Sequence, residues 1–239
     1  MIVGALPIVL LTCAGSGDRG PQSGDSAIAS PGPRTPDPGS RVIVFLGTSL
    51  TAGLGLDASQ AFPALIQRQL DAQHLPWRAV NAGVSGETSA GALRRLDWVL
   101  QDAPAILVVE TGANDGLRGL DVDTTRANLE ALVRRARAAV PGLRIVLAGM
   151  EAPPNLGARY TAHFRAIFRE VAAREHLELI PFLLTGVGGV DSLNQNDGIH
   201  PNVAGERIVA DNVWRVLSPL VRGRVAPAPD TSHPTPAFR

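Results

Sequence analysis

Short apolar runs rich in β-branched residues recur along the middle of the chain, at 41–46 (RVIVFL), 77–81, 105–110, 144–148 and 177–181. Their length and composition suit buried strands. Between them, apolar positions fall at helical spacing. Leu129, Leu132, Val133, Ala136 and Val140 form one stripe, and Val209, Val213, Val216, Leu217 and Leu220 form another. Each stripe marks a helix with one buried face. Strands alternating with helices predict right-handed crossovers and a parallel sheet covered on both faces. The expected fold is α/β: a three-layer α/β/α, flavodoxin-like sandwich with a five-stranded parallel sheet. In such sheets ligands bind outside the carboxyl ends of the strands, so the loops after each strand are where chemistry is sought.

The two ends lack this pattern. Residues 2–11 are almost wholly apolar, a stretch of signal-peptide length that is too short to span a bilayer. Cys13 follows directly. Residues 1–13 therefore resemble a bacterial lipoprotein signal, which implies lipidation of Cys13, export, and anchoring in the cell envelope or periplasm. Residues 14–40 turn to Gly, Pro, Ser and Asp, with Pro31, Pro33, Pro36 and Pro38 close together. Such a stretch cannot bury enough surface to offset the entropy of ordering it, and it reads as a disordered tether. Its G-x-G-x-x-G at 15–20 leads into proline-rich coil, not the helix a dinucleotide loop requires. Residues 223–239, with Pro227, Pro229, Pro234 and Pro236, read as a disordered tail. The folded domain is expected over 41–222.

Composition narrows the function classes. Of 239 residues, 45% are hydrophobic and 18% charged, enough apolar content for a real core. The 22 basic and 22 acidic side chains balance, which argues against a nucleic-acid or other polyanionic partner. All the basic residues are arginine, scattered along the helices without clustering. A single cysteine excludes an internal disulfide, a C-x-x-C pair and a zinc site built on several thiolates.

The loops after the strands carry the informative residues. GTSLTAG occupies 47–53, NAGVSGET 81–88, TGANDG 111–116, and DGIHPN 197–202 before the last helix. A serine, a glycine turn, an asparagine and an Asp-x-x-His thus converge on one edge of the sheet. These are the parts of an acyl-transfer site: nucleophile, oxyanion donors, base and orienter. Serine is a poor nucleophile until a base takes its proton, and imidazole is the side chain poised for that near neutral pH. No G-x-S-x-G surrounds Ser49 or Ser85, so the α/β-hydrolase elbow is absent.

These four blocks, in this order, resemble the SGNH or GDSL hydrolase family. The segment NLGARY at 155–160 and the block at 197–202 are similar to the branch containing thioesterase I/lysophospholipase L1 and small arylesterases. The resemblance spans residues 41 to 222. It implies Ser49 as nucleophile, His200 as base and Asp197 as its partner. It further implies an oxyanion hole made by the N–H groups of Ser49 and Gly86 and the side chain of Asn114. One departure stands at position 48, where the family usually has Asp and this chain has Thr48; the loop-bracing bonds of that Asp do not carry over.

The function implied is a serine esterase acting on short- to medium-chain acyl esters or thioesters through an acyl-enzyme. Its partner is a small-molecule substrate, with no cofactor and no metal, because Asp197 and His200 lack a visible third ligand. Two other readings use the same residues: a carbohydrate or cell-wall O-acetyl esterase, and a surface-binding lipoprotein that has lost turnover. Ser85 lies where the family has a donor loop, and Asp115 is expected to brace its own turn. An apolar acyl chain is expected over a sugar. Leu50, Leu54, Leu56, Pro153, Pro154, Leu156, Leu184 and Val187 are placed in loops bordering Ser49, and the few aromatic residues fall mostly in helices and strands.

Overall fold

The computed structural model describes residues 41–223. Cys13, the signal-like segment, the tether and the tail beyond Gly223 lie outside the described residues. Among the described residues five strands form one sheet: β1 (Arg41–Gly47), β2 (Trp77–Gly83), β3 (Ile106–Val109), β4 (Arg144–Ala148) and β5 (Glu178–Ile180). Their order is β2-β1-β3-β4-β5 and every pairing is parallel. This is the doubly wound, flavodoxin-like arrangement expected from the sequence.

The helices are α1 (Ser49–Ala52), α2 (Phe62–Ala72), α3 (Ser89–Val99), α4 (Ala113–Leu117), α5 (Val122–Ala139), α6 (Ala158–Arg174) and α7 (Val203–Val221). Helices α2 and α7 pack together, and α3, α5 and α6 pack in series, forming the layers that flank the sheet. The central strands are covered on both faces, so Ile43 to Leu46, Ile106 to Val109 and Ile145 to Ala148 are all buried, with no alternation. On α5 the stripe Leu129, Leu132, Val133 and Ala136 is buried, while Val140 is its C-cap. On α7, Val209, Val213, Leu217 and Leu220 are buried and Val216 is half-buried.

Strand ends differ from expectation where tertiary contact decides them. Strand β2 runs on through Ala82 and Gly83, which pair with Leu46 and Gly47. Glycine permits this, since a Cβ at position 83 would lie 2.3 Å from the backbone nitrogen of Ala52 in α1. The short helices α1 and α4 arise from segments read as loops. Their few residues carry no apolar period, and packing at the sheet edge forms them.

Candidate active site

Ser49 opens α1 immediately after β1. The turn is tight because Gly47 lacks a side chain: a Cβ there would lie 1.9 Å from Thr51 Oγ1 and 2.6 Å from Glu110 Oε2. The turn that carries Ser49 thus sits directly over buried polar groups. Ser49 Oγ is 2.8 Å from His200 Nε2.

His200 is held by the loop that precedes α7. Gln195 N donates to His200 O at 2.7 Å, and Asn202 N donates to Leu193 O at 2.9 Å. Asn202 then caps α7, its Oδ1 accepting from Ala204 N and Gly205 N. The Gln195 side chain ties this loop to the serine loop, donating to Leu54 O at 2.7 Å and Pro201 O at 3.0 Å.

His200 Nδ1 lies 2.6 Å from Asp197 Oδ2. The other carboxylate oxygen of Asp197 accepts from Ile199 N at 2.9 Å and His200 N at 3.0 Å. The bond from the His200 backbone N–H, then that from its ring, then that from Ile199 hold the Asp197 carboxyl down at about 2. An ionised Asp197 only accepts, so the proton belongs on Nδ1 and Nε2 is left to accept from Ser49.

Two further groups line the same cavity as Ser49. Gly86 adopts φ +76°, the left-handed conformation open to glycine, and its carbonyl accepts from Arg118 Nη2 at 2.9 Å. Among the described residues no protein group accepts from the N–H of Gly86 or of Ser49. Asn114, in the first turn of α4, gives one amide hydrogen to Glu87 O at 3.0 Å, which fixes the amide and leaves its second hydrogen free. Glu87 is in turn gripped by Arg95 at 2.7 Å, and Arg95 also donates to Gly47 O and Ala82 O.

Ser49, Gly86, Asn114 and His200 line one cavity of about 310 Å³, near the low end for small-molecule sites. The rest of its wall is mainly apolar: Leu50, Leu54, Ala113, Leu117, Met150, Phe182, Leu184 and Ile199, with Thr48 and Glu151. Of the eight loop residues expected at this wall, three line it and five are corrected. Leu50, Leu54 and Leu184 line it. Leu56, Pro153 and Pro154 do not, Leu156 borders a separate depression, and Val187 is fully buried in the core. An aromatic ring, Phe182, does reach the cavity. Ser85 and the histidines His74, His163 and His176 do not line it.

Asp115 braces across elements instead of within its own turn, accepting from Ser89 N at 2.8 Å and Ser89 Oγ at 2.6 Å. Thr48 bonds through both its N–H and its hydroxyl to Glu110, a residue not singled out in the sequence. The available signal was an acidic residue ending an apolar strand. Gln195 and Arg118 carried no comparable signal, because their partners are main-chain carbonyls. Among the described residues no cluster of His, Cys, Asp and Glu fits a metal ion.

The chain is similar to known proteins. A family model described as GDSL-like Lipase/Acylhydrolase family matches residues 45–208. Esterase TesA of Pseudomonas aeruginosa is 43% identical over 183 residues, covering 76% of this chain and 90% of that protein. Thioesterase 1/protease 1/lysophospholipase L1 of Escherichia coli K12 is 37% identical over 180 residues, covering 75% and 84%. The psychrotrophic esterase EstA from Pseudoalteromonas sp., in a structure inhibited by monoethylphosphonate, superimposes with a TM-score of 0.72 at 35% identity, covering 77% of this chain and 100% of EstA.

Proposed function

Because the chain belongs to the GDSL-like lipase/acylhydrolase family and is a carboxylic ester hydrolase, we propose that it cleaves short- to medium-chain acyl esters or thioesters through an acyl-enzyme on Ser49. The observation that carries this reading is the continuous chain from Ser49 Oγ to His200 Nε2 and from His200 Nδ1 to Asp197, set in the wall of an apolar cavity.

Attack of Ser49 Oγ on the substrate carbonyl forms the Oγ–C bond while His200 Nε2 takes the hydroxyl proton. Asp197 stabilises the imidazolium and keeps the ring oriented. The negative charge that develops on the carbonyl oxygen meets the N–H groups of Ser49 and Gly86 and the free amide hydrogen of Asn114. Collapse breaks the bond to the leaving alcohol or thiol, which takes the proton from Nε2. Water then attacks the acyl-enzyme, giving its proton to His200, and the acid leaves as Ser49 recovers its hydrogen.

The wall chemistry supports an acyl chain over a sugar. Each methylene buried against Leu50, Leu117, Met150 or Leu184 contributes up to ~0.8 kcal/mol, whereas a sugar's hydroxyls would face few polar side chains. Resemblance to the esterase and thioesterase above points the same way. The test is rapid, stoichiometric labelling by a fluorophosphonate that Ser49→Ala abolishes, alongside kcat/KM for p-nitrophenyl esters from acetate to laurate. Labelling that persists in Ser49→Ala sinks the nucleophile assignment. Efficiency peaking at acetate, with rapid deacetylation of acetylated xylan, replaces the acyl-chain reading by the carbohydrate one.

A further inference from the structure

The turn that carries Ser49 is fastened from below by one carboxylate. Glu110 follows β3, is 1% exposed, and touches no surface of the cavity. Its Oε2 accepts from Thr48 N at 2.7 Å, Thr51 N at 3.3 Å and Thr51 Oγ1 at 2.8 Å. The Thr48 hydroxyl reaches both carboxylate oxygens, at 3.0 and 3.1 Å. Thr48 and Thr51 bracket Ser49 within a single turn, and both are fully buried. The donors are therefore two N–H groups and two hydroxyls, all on the nucleophile's own loop.

The protonation state of Glu110 matters to this fastening. As a carboxylate it accepts from all four groups at once. As an acid it must place its own hydrogen, and the two N–H groups cannot accept it. A threonine hydroxyl would have to turn and accept, leaving its own hydrogen without a partner in a dry site, a loss that burial makes costly. Such a change is felt one residue away, at Ser49 Oγ, where a shift of a fraction of an ångström spoils the line to His200 Nε2.

Resting on the reading of Ser49 as nucleophile, we propose that ionised Glu110 is the positioning residue of this active site: it anchors the Thr48–Thr51 turn so that Ser49 Oγ meets His200. Burial pushes the Glu110 carboxyl up to about 7 against the four bonds that pull it down. Its ionisation thus changes across neutral pH. Glu206 of α7 shares the buried region and repels it when ionised, but burial pushes Glu206 higher still, to about 8. Arg95 of α3 reaches the Gly47 carbonyl on one side, and His200 stands beyond Ser49 on the other. Activity then requires two groups in their basic forms, His200 and Glu110.

The experiment is the pH profile of kcat and kcat/KM for a p-nitrophenyl ester, with melting temperature and fluorophosphonate labelling rate, in wild type, Glu110→Gln, Thr48→Val and Thr48→Ser. Wild type is expected to lose kcat/KM on the acid side with a slope approaching two protons. Glu110→Gln, which mimics the neutral acid in shape, is expected to lower kcat about 10- to 100-fold with little change in KM, and to show a one-proton acid limb. Thr48→Val should slow turnover and labelling, while Thr48→Ser, which restores the hydroxyl, should lose far less. If Glu110→Gln folds poorly, the Thr48 pair and the wild-type slope decide alone. A one-proton wild-type limb, Glu110→Gln with wild-type kcat, or equal losses in Thr48→Val and Thr48→Ser would each overturn the proposal. Ser49→Ala separates the two readings: if that variant keeps turnover, the nucleophile assignment itself fails, whatever Glu110 does.

Discussion

At the scale of single residues, the site is a set of groups each already committed to one task. Asp197 spends one oxygen on two backbone N–H groups and the other on the His200 ring. Asn114 gives one hydrogen to Glu87 O and keeps the other for the cavity. Ser49→Ala or His200→Ala is expected to lower kcat by about 10⁴-fold, and the double variant by little more, since the two act as a unit; steady-state kinetics on a purified pair of single variants and the double decides this. Asn114→Ala is expected to lower kcat by about 10²- to 10³-fold with KM nearly constant, because its free hydrogen meets charge only as it develops. An effect confined to KM would make it a substrate-binding group instead. Ser49, Gly86, Asn114, Asp197 and His200 were legible because each sits in a short motif with glycine or a fixed spacing around it. Glu110 and Gln195 were not, because what they do depends on partners 59 to 141 positions away in sequence.

At the scale of elements, the strands were readable because double burial leaves uninterrupted apolar runs, and α5 and α7 because one buried stripe recurs at helical spacing. The cavity wall was read less well. Its residues come from the first positions after strands, such as Met150 after β4 and Phe182 after β5, and whether such a side chain turns inward depends on the sheet's twist and its neighbours. Helix α7 shows how an element end serves the chemistry. Asn202 stands two residues after His200; its Oδ1 caps the helix, while its Nδ2 donates to Ser192 O at 2.9 Å and Asn194 O at 3.3 Å. Losing a cap costs about 0.5–2 kcal/mol, and here it also frees the loop carrying His200 and Asp197. Asn202→Ala is expected to lower the melting temperature modestly and kcat more than KM. Asn202→Asp, which keeps the cap but not the two donated bonds, should recover the stability and only part of kcat. Equal recovery of both would show that the cap alone holds the histidine.

At the scale of the whole molecule, positive and negative side chains balance, and among the described residues three carboxyls are buried: Asp115, Glu110 and Glu206, the last two about 1% exposed and raised by burial. Glu206 lies in the first turn of α7 and accepts from Phe62 N at 2.7 Å, joining α7 to the start of α2. Burial is the main cause that pushes it to about 8, with the Glu110 charge adding to the shift and the Phe62 bond opposing it. A carboxyl raised on folding stabilises the folded state fully only below its unfolded value of 4.5. As pH rises from there, the unfolded chain releases the proton and the folded chain retains it, so stability falls until about pH 8 and then levels off. The loss from this group is on the order of 3–5 kcal/mol at alkaline pH. Glu206→Gln preserves the acceptor for Phe62 N but cannot ionise. Its stability relative to wild type is therefore expected to rise between pH 5 and about pH 8 and then level off, measured as the difference in melting temperature or in denaturation midpoint. Glu110→Gln should show the same trend over a narrower range ending near pH 7, offset by its lost bonds to the serine turn. A Glu206→Gln advantage that stays constant across this range would mean that the carboxyl is neutral or ionised alike in both states, and that burial at the α2–α7 junction does not set its charge.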